Sequence, residues 1–316
     1  MPDNPIAHAF DDVTFGPEAS FRNLVMLPLV ARRNGDVPES TPPDYLLLDD
    51  ALARGDTEIT EVSEQGSVPE LRLVNRGASP LLIVDGEELV GAKQNRVVNL
   101  SVLVPPRSTL TIPVSCVEAG RWRARSRSFS AAPRTQFATG RAKRMRSVTV
   151  SMMVSGAYLS DQAEVWSDIA EKADRLEARS ATSAMEALFT GHAEAIDQFV
   201  EACRPVAGQV GALFLVDGRV ASLDLFDCEA TLRRLLPKLI RSCAIEAIDP
   251  HSPASASGSV SGRAAAERFL AAVSASPQHV AKALGLGDDV RVTGAGVTAA
   301  ALVVDGRAVH VGAFAA

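Results

Sequence analysis

Short apolar runs separated by proline and glycine dominate the chain between residues 20 and 117. The runs are enriched in β-branched side chains, a pattern typical of strands bounded by turns. We therefore predict a β-rich layer here, either a sandwich or a barrel-like sheet. One helix is predicted within it at residues 45–53, ended by Gly55. The predicted strands lie at residues 23–30, 71–74, 80–86, 96–104 and 109–115.

Apolar positions recur at helical spacing between residues 160 and 203. Asp161 stands before the first helix in the position of an N-cap, and Glu164 follows three residues later, as in a capping box. A second helix is predicted over residues 184–202. The segment therefore forms a central helical part of the molecule.

The last third of the chain combines hairpins and helices. Residues 209–248 predict strand, turn, strand and helix, with Asp227 as the N-cap of that helix and Pro237 as a kink or interruption in it. A flexible Ser, Pro, Ala and Gly-rich segment at 251–262 precedes a short helix and the closing strands. These elements complete an α+β fold. The predicted divisions are an N-terminal tail at 1–18 and one domain at 19–316, with possible lobes at 19–150 and 151–316.

An Asp-Gly pair follows an apolar run at three places in the chain: Asp85-Gly86, Asp217-Gly218 and Asp305-Gly306. Asp-Gly favours the type I′ turn of a two-residue hairpin, because both central residues need positive φ. Three independent hairpins and a duplicated β unit are both compatible with this pattern.

Composition and charge narrow the class of protein. Hydrophobic residues make up 47% of the 316 residues, so most of the chain can bury a core, and the net charge of −6 argues against a dedicated nucleic-acid-binding protein. The start of the chain lacks the pattern of a secretory signal, and no apolar run approaches the ~20 residues that span a bilayer. The four cysteines form no C-x-x-C pair. We expect a cytoplasmic protein with no membrane association.

The most unusual segment is residues 86–96, where acids, bases and amides crowd beside a predicted turn. One interpretation is purely structural: the segment is an edge strand whose charged side chains form salt bridges with each other. As a loop at a strand end, it could aim donors at phosphate or sugar hydroxyls, with Glu88 as a general base or as the stabiliser of a developing cation. The predicted ligand-binding residues are Lys93, Gln94, Asn95 and Arg96.

A second polar segment covers residues 114–122. Nearby arginines could activate Cys116 as a nucleophile, but its place in a strand pattern favours a buried, inert thiol. Glu118 lies at or just past the strand end and is the second candidate acid or base. Arg121 and Trp122 are candidate ligand-binding residues, although a tryptophan more often packs than stacks on a ligand.

A basic stretch without acids runs from Arg121 to Arg146 and carries nine Lys and Arg residues. Alternation at 121, 123, 125 and 127 would place four arginines on one face if this part were a strand. Aromatic residues are interleaved, so the stretch could bind polyphosphate or single-stranded RNA. Pairing with acids elsewhere in the chain is the alternative.

Motifs for metals and nucleotide cofactors are not evident. Asp224 and Asp227 could hold a metal, but they have no histidine partner, and the histidines lack ligand spacing. No phosphate-binding glycine loop stands between a strand and a helix. We therefore predict neither a metal site nor a cofactor.

The polar segments together resemble one bacterial family. Residues 86–96, the run from Cys116 to Trp122, and residues 211–226 leading into 237–242 are similar to the domain associated with ADP-ribosylglycohydrolases and rhodanese-phosphatases. The resemblance covers roughly residues 15–316. It implies a link to enzymes that handle ADP-ribose and NAD-derived products, and it implies no particular catalytic residue.

Three functional hypotheses follow. In the first, the two polar segments bind an ADP-ribose-like or other phosphorylated nucleotide, and Glu88 and Glu118 act as acid or base in hydrolysis of a glycosidic or phosphate ester bond. In the second, the same groove serves a non-catalytic recognition or scaffold module. In the third, the basic stretch at 121–146 binds RNA. The first two require residues 88–96 and 116–122 to be spatial neighbours.

Overall fold

The computed structural model describes residues 4–32, 43–250 and 262–315. Over these residues it contains eight α-helices and eighteen β-strands in several sheets, which confirms the α+β prediction. The predicted flexible segment at 251–262 falls almost wholly outside the described residues. None of the described helices is long and apolar enough to cross a membrane.

The helices are concentrated in the middle and the last third of the chain. They are α1 (Pro5–Asp11), α2 (Leu48–Arg54), α3 (Ala138–Ser155), α4 (Gln162–Arg175), α5 (Glu186–Thr190), α6 (Ala193–Ala202), α7 (Glu229–Ile248) and α8 (Gly262–Ala275).

Twelve strands come before α3 and six follow α6 among the described residues. They are β1 (Val13–Phe15), β2 (Ala19–Phe21), β3 (Leu24–Ala31), β4 (Leu46–Leu47), β5 (Thr57–Glu61), β6 (Glu70–Asn75), β7 (Leu81–Ile83), β8 (Glu87–Gly91), β9 (Arg96–Val98), β10 (Val102–Val104), β11 (Ser108–Cys116), β12 (Phe129–Thr135), β13 (Gln209–Val216), β14 (Arg219–Phe226), β15 (Gln278–Lys282), β16 (Asp288–Gly294), β17 (Val297–Val304) and β18 (Arg307–Ala315).

A nine-stranded sheet joins the two ends of the chain. Its order is β1-β3-β13-β14-β18-β17-β16-β15, with β2 also paired to β3, and every pairing is antiparallel. Residues 5–15, assigned to a tail from the sequence, form α1 and the edge strand β1 of this sheet. The core of the C-terminal part is therefore shared with the first strands of the chain.

Strand β13 lies at the centre of this core and is buried along its whole length. Ala212 and Phe214 pack into the hydrophobic cluster that contains α7, whereas Leu213 and Leu215 pack into the cluster that contains α1 and α8. Successive side chains of a strand point to opposite faces, so helices on both sides exclude water from the sheet. This explains why β13 reads as a continuous apolar run.

Two smaller sheets carry the polar segments. One has six strands in the order β12-β8-β9-β11-β6-β5, and the other has three in the order β10-β7-β4. They contain most of the strands predicted between residues 20 and 117 and share a separate hydrophobic cluster, but the strand predicted at 23–30 belongs to the nine-stranded sheet as β3. The turns that join β8 to β9 and β11 to β12 place residues 92–95 and 117–128 at the same edge.

Two of the three Asp-Gly pairs form type I′ hairpins. Asp217 and Asp305 have φ of 50°, and the glycines that follow them have φ of 74° and 77°. The prediction was wrong at Asp85-Gly86, because β7 and β8 belong to different sheets and only Gly86 has a positive φ. The chain there passes between layers instead of turning back on itself.

Helix ends and boundaries were predicted with mixed success. Asp161 is the N-cap of α4 as expected, since its carboxylate accepts hydrogen bonds from the amides of Ala163 and Glu164. Asp227 is not an N-cap, because its carboxylate accepts a hydrogen bond from Tyr45 at 2.6 Å and Cys228 takes the N-cap position. The helix predicted at 184–202 is divided into α5 and α6, and α7 continues through Pro237 without interruption.

Candidate functional site

The two polar segments meet at the edge of the six-stranded sheet. Strand β9 pairs with β11 so that Arg96 lies opposite Cys116, and β8 pairs with β9 so that Leu89 lies opposite Arg96. The side-chain amide of Gln94 donates to the Glu118 carbonyl at 3.0 Å. The predicted proximity of residues 88–96 and 116–122 is therefore confirmed.

A buried ion pair between Glu118 and Arg121 holds this junction together. Arg121 donates from Nε and Nη2 to the two carboxylate oxygens of Glu118, at 2.8 and 2.6 Å. The same guanidinium donates to the carbonyls of Ala92 and Arg123. Since both charged groups are almost completely buried, the pair fixes the loop after β8 against the loop after β11.

Glu118 is saturated with donors. Besides Arg121, the amide of Asn95 and the hydroxyl of Thr182 donate to its carboxylate, at 3.0 and 2.7 Å. Burial alone would raise the pKa of Glu118, but these hydrogen bonds outweigh it and hold the pKa below the ordinary glutamate value. Glu118 is therefore an ionised carboxylate in its resting state, and its predicted role as an acid or base stays a prediction.

Arg96 is a fully buried cation without an ion-pair partner among the described residues. Its Nη1 donates to the side-chain carbonyl of Gln94 at 3.1 Å, while Nε and Nη2 have no hydrogen-bond partner in the described part of the chain. Burial lowers the pKa of Arg96, and the partial compensation comes from Cys116 and Glu61. Unpaired donors on a buried charge cost folding free energy. The free Arg96 donors are therefore consistent with a site that binds an anion.

Trp122 covers this arginine at the molecular surface. The Arg96 guanidinium carbon lies 5.8 Å from the centre of the indole ring, and Lys93 Nζ lies 5.2 Å from it. The indole nevertheless remains 48% exposed, so one side of the ring is open to solvent. Lys93 and an exposed aromatic face thus lie together at the surface, directly above the buried Arg96.

The loop after β5 packs against the Trp122 ring through Gly66. A methyl group added at Gly66 would lie 3.3 Å from Trp122 Cζ2 and 3.2 Å from Glu61 Oε2. Glu61 accepts a hydrogen bond from the Lys93 amide through Oε1, whereas its Oε2 has no partner among the described residues. Sequence reasoning missed Glu61, because it lies 25 residues before Gly86 in an otherwise ordinary strand.

Glu88 lies deeper in the same sheet and is completely buried. Its Oε2 accepts a hydrogen bond from Arg134 Nε at 2.5 Å, and its Oε1 has no partner among the described residues. Burial raises the pKa of Glu88, Arg134 opposes the rise only in part, and the charges of Glu186 and Glu118 add to it. Its pKa and that of Glu118 are thus displaced in opposite directions.

Cys116 is buried next to the same groups. Its thiol contacts the side-chain carbonyl of Gln94 at 3.2 Å. Burial raises the pKa of the Cys116 thiol, although the neighbouring Arg96 opposes this effect. The thiol is therefore disfavoured as a thiolate nucleophile.

The basic stretch is divided between the core and the surface. The alternation at 121–127 was misread, because residues 120–128 form a loop in which Arg121 points inward and Arg123, Arg125 and Arg127 are exposed. Four of its five later members pair with acids from distant parts of the chain, which is the alternative that the sequence left open. These pairs are Arg134 with Glu88, Arg141 with Asp224, Arg144 with Asp85, and Lys143 with Asp168.

Asp224 and Asp227 make separate contacts. Asp224 is buried between Arg141 and His310, and Asp227 pairs with Tyr45 and Arg307. Over the residues that the structure describes, no group of three or more His, Cys, Asp and Glu side chains is arranged to bind a metal ion.

Comparison with known proteins supports the resemblance carried by the polar segments. Neither curated proteins nor solved structures gave a significant match to the chain. The ARG and Rhodanese-Phosphatase-superfamily-associated Protein domain, ARPP-1, matches residues 12–314, nearly the whole length. The chain therefore belongs to the ARPP-1 family.

Proposed function

We propose that the protein binds a phosphorylated nucleotide of the ADP-ribose type at the surface formed by Lys93, Arg96 and Trp122. The observation that carries this proposal is the buried Arg96 guanidinium, which has two unpartnered nitrogens and makes no ion pair within the described residues. A planar guanidinium with free N–H groups matches the geometry of a phosphate group. The exposed indole offers a stacking surface for a base.

Binding requires Trp122 to move. Arg96 has no exposed surface at present, because the indole lies over its guanidinium. A phosphate that reaches the free nitrogens of Arg96 must displace the ring, which can then stack against the base of the same ligand. Lys93 would exchange its contact with the indole for the second charge of a diphosphate. The intrinsic fluorescence of Trp122 should therefore report binding.

We extend the proposal to hydrolysis of a glycosidic bond in the bound ligand. Two carboxyl groups whose pKa values are displaced in opposite directions are typical of an acid paired with a charged stabiliser. Glu88, whose pKa is raised, would donate a proton to the leaving group. Glu118, which stays ionised, would stabilise positive charge on the sugar. Gln94 contacts both Arg96 and the Glu118 carbonyl, and the Asn95 amide donates to the Glu118 carboxylate, so these two residues connect Glu118 to the phosphate-binding cation.

The test is a titration of the full chain with ADP-ribose, AMP and inorganic phosphate, followed by calorimetry and tryptophan fluorescence. Base stacking on an aromatic side chain contributes about 1–3 kcal/mol, so Trp122→Ala should weaken ADP-ribose binding by roughly 5- to 150-fold. Trp122→Phe should retain most of the affinity. Arg96→Gln should remove phosphate binding, with circular dichroism used to confirm that the variant folds.

Arg233→Gln is a matched control, because Arg233 is an exposed arginine paired with Glu229 at the start of α7. It should bind as the wild type does. If all three ligands fail to bind the wild type, or if Trp122→Ala binds them unchanged, the proposal is wrong. Glu88→Gln should bind ADP-ribose but release no product from a glycosylated derivative, and turnover by this variant would exclude the proposed acid.

RNA binding is the second candidate function. It is favoured by the exposed Arg123, Arg125 and Arg127, which make no ion pair within the described residues and lie on the same loop as Trp122. Single-stranded nucleic acids are bound by just this combination of cations along the backbone and an aromatic stacking surface. The salt dependence of binding separates the two candidates.

A further inference from the structure

A histidine buried between a serine and an aspartate occupies the interior of the molecule, outside the Lys93–Trp122 surface. His310 Nδ1 lies 2.7 Å from Ser101 Oγ, and its Nε2 lies 3.1 Å from Asp224 Oδ1. Arg141 donates to both oxygens of Asp224, at 3.1 and 2.8 Å. These residues come from the segment between β9 and β10, from β18, from β14 and from α3, so the tertiary fold alone brings them together.

The hydrogen bonds determine which nitrogen of His310 carries the proton. Burial alone would raise the pKa of Asp224, but the charge of Arg141 and the hydrogen bond from His310 outweigh it and keep the pKa low. An ionised Asp224 can only accept a hydrogen bond, so Nε2 must be the donor. Nδ1 is then free to accept the hydroxyl proton of Ser101, which is the arrangement of a general base beside a nucleophile.

The Ser101 oxygen also receives a hydrogen bond from the backbone. The Asp85 amide donates to Ser101 Oγ at 3.0 Å. A donor to this oxygen stabilises the negative charge that develops as the proton leaves. Ser101 is only half-buried, unlike its two partners, so its hydroxyl lies where the network approaches the surface.

A small cavity adjoins this network, lined among others by Ser101, His310 and Arg291. Its free space accommodates about one water-sized group. Arg291 is almost completely buried, and its Nε donates to Asp289 at 2.8 Å. Its Nη1 and Nη2 have no hydrogen-bond partner among the described residues. Two unpaired N–H donors of Arg291 therefore line a cavity the size of one oxygen atom.

We propose that Ser101, His310 and Asp224 form a second site, which cleaves esters of small carboxylic acids. Ser101 Oγ attacks the carbonyl carbon, its proton passes to His310 Nδ1, and the carbonyl oxygen becomes an oxyanion that Arg291 stabilises in the cavity. The C–O bond to the alcohol breaks, and the alcohol leaves with the proton from His310. Water then attacks the acyl-serine, gives its proton to His310, and releases the acid as Ser101 recovers its own proton.

The size of the cavity restricts the substrate. Only the carbonyl oxygen fits beside Arg291, so the acyl chain must lie toward the exposed side of Ser101, and short chains such as acetyl are favoured. Asp224 touches no substrate atom and acts as a positioning residue, because it fixes the tautomer and orientation of His310. Arg141 in turn holds Asp224.

The experiment is covalent labelling of the full chain with a fluorophosphonate, followed by intact mass and peptide mapping. Attack by Ser101 forms a Ser–phosphorus bond, fluoride leaves, and the proton passes through His310 to solvent. We expect one adduct per chain, located on Ser101. Acetate release from p-nitrophenyl acetate should disappear once labelling is complete.

Variants test whether Ser101 is a nucleophile or only a member of a structural hydrogen-bond network. Ser101→Ala should abolish both labelling and ester hydrolysis, whereas Ser130→Ala, which removes an exposed hydroxyl bonded to the Val90 carbonyl, should change neither. His310→Asn should slow labelling at least a hundredfold. Because substitutions at His310 threaten folding, Ser101→Cys offers a second measurement: peptide mapping should find the thiol at position 101 alkylated by iodoacetamide before the three buried cysteines, Cys116, Cys203 and Cys243.

An unlabelled wild-type chain, under conditions that label a known serine hydrolase to completion, overturns the proposal. So does labelling at another residue that survives Ser101→Ala. None of these measurements uses a nucleotide, so failure here leaves ligand binding at Arg96 and Trp122 untouched.

Discussion

At the scale of single residues, the number of partners decides what each charged group can do. Glu118 has four hydrogen bonds to its carboxylate and is fixed in place, whereas Glu88 has one partnered oxygen and one free oxygen. Arg121 donates hydrogen bonds to Glu118 and to backbone carbonyls, whereas two nitrogens of Arg96 have no hydrogen-bond partner among the described residues. The saturated residues hold the site together, and the unsaturated ones are available to a ligand.

Glu118→Gln should destabilise the protein by about 3–5 kcal/mol at neutral pH, because it leaves the buried Arg121 charge without its partner. The effect depends on pH in a defined direction. The pKa of Glu118 is lowered in the folded state, so its contribution is fully present above the unfolded value, about 4.3, and is lost as pH falls through the folded pKa. Urea unfolding of both chains between pH 7 and pH 3 measures the difference.

The gap between wild type and Glu118→Gln should be constant from pH 7 to about pH 5 and should narrow in more acidic solution. Thr182→Val is a milder comparison, since it removes one donor and no charge. A gap that widens toward acid would mean that Glu118 is protonated in the folded state, contrary to the hydrogen bonds that surround it.

Membership of the site was predictable from the sequence for residues that lie close together along the chain. Lys93, Gln94, Asn95, Arg96, Glu118, Arg121 and Trp122 form two short segments whose dense mixture of charges and amides indicated a common site, and they are neighbours. Ser101 and His310 are separated by 209 positions, and each stands in an unremarkable strand context. Only the assembled fold brings them together, so no sequence pattern pointed to them.

At the scale of elements, turns were predictable where the backbone conformation alone decides them. Asp217-Gly218 and Asp305-Gly306 lie between strands of one sheet, and the positive φ that Asp-Gly permits is used at both. The same dipeptide at residues 85–86 connects two sheets, because Asp85 is drawn toward Arg141 and Arg144. The loop at 120–128 is likewise set by the inward Arg121. In both places a buried charge overrides the local pattern.

Gly306→Ala should cost about 1–2 kcal/mol, because alanine must adopt a φ near +77° at the turn of the β17–β18 hairpin. No atom lies within 4 Å of the position that the new methyl group would take, so the cost is conformational and not steric. Gly306→Asn should cost less, since asparagine tolerates this conformation. Thermal unfolding should show that the wild type is the most stable, Gly306→Asn less stable and Gly306→Ala the least stable. Equal stabilities of the three proteins would contradict the turn type.

At the scale of the whole molecule, the charge is segregated. The net charge is −6, and yet the core holds two arginines of α3, Arg141 and Arg144, paired with aspartates from distant elements. These pairs join the nine-stranded sheet to α3 and to the polar segment after β7, so much of the basic stretch is part of the internal structure. The exposed remainder is concentrated on the loop at 120–128, beside Trp122. Sequence could count these charges but could not tell which ones the fold would neutralise.

This division predicts how ligand binding responds to salt. Exposed charges are screened beyond about 8 Å at physiological ionic strength, so the −6 net charge should not prevent an anion from binding at the loop. ADP-ribose engages few cations, and its affinity should fall only slightly between low and moderate salt. A single-stranded RNA that contacts the whole loop should show a steep dependence, with a logarithmic slope of about −0.7 per phosphate neutralised.

The measurement is a titration of ADP-ribose and of a short single-stranded RNA at several salt concentrations. It is repeated with Arg123, Arg125 and Arg127 replaced by alanine, and with a control in which the exposed, ion-paired Arg76, Arg233 and Arg263 are replaced instead. Both variants remove the same charge, so only a local role separates them. The loop substitutions should leave ADP-ribose binding nearly unchanged, because Arg96 supplies the essential contact. If instead they flatten a steep RNA slope that the control preserves, RNA becomes the better candidate ligand, since the exposed arginines and not the buried one would then carry the affinity.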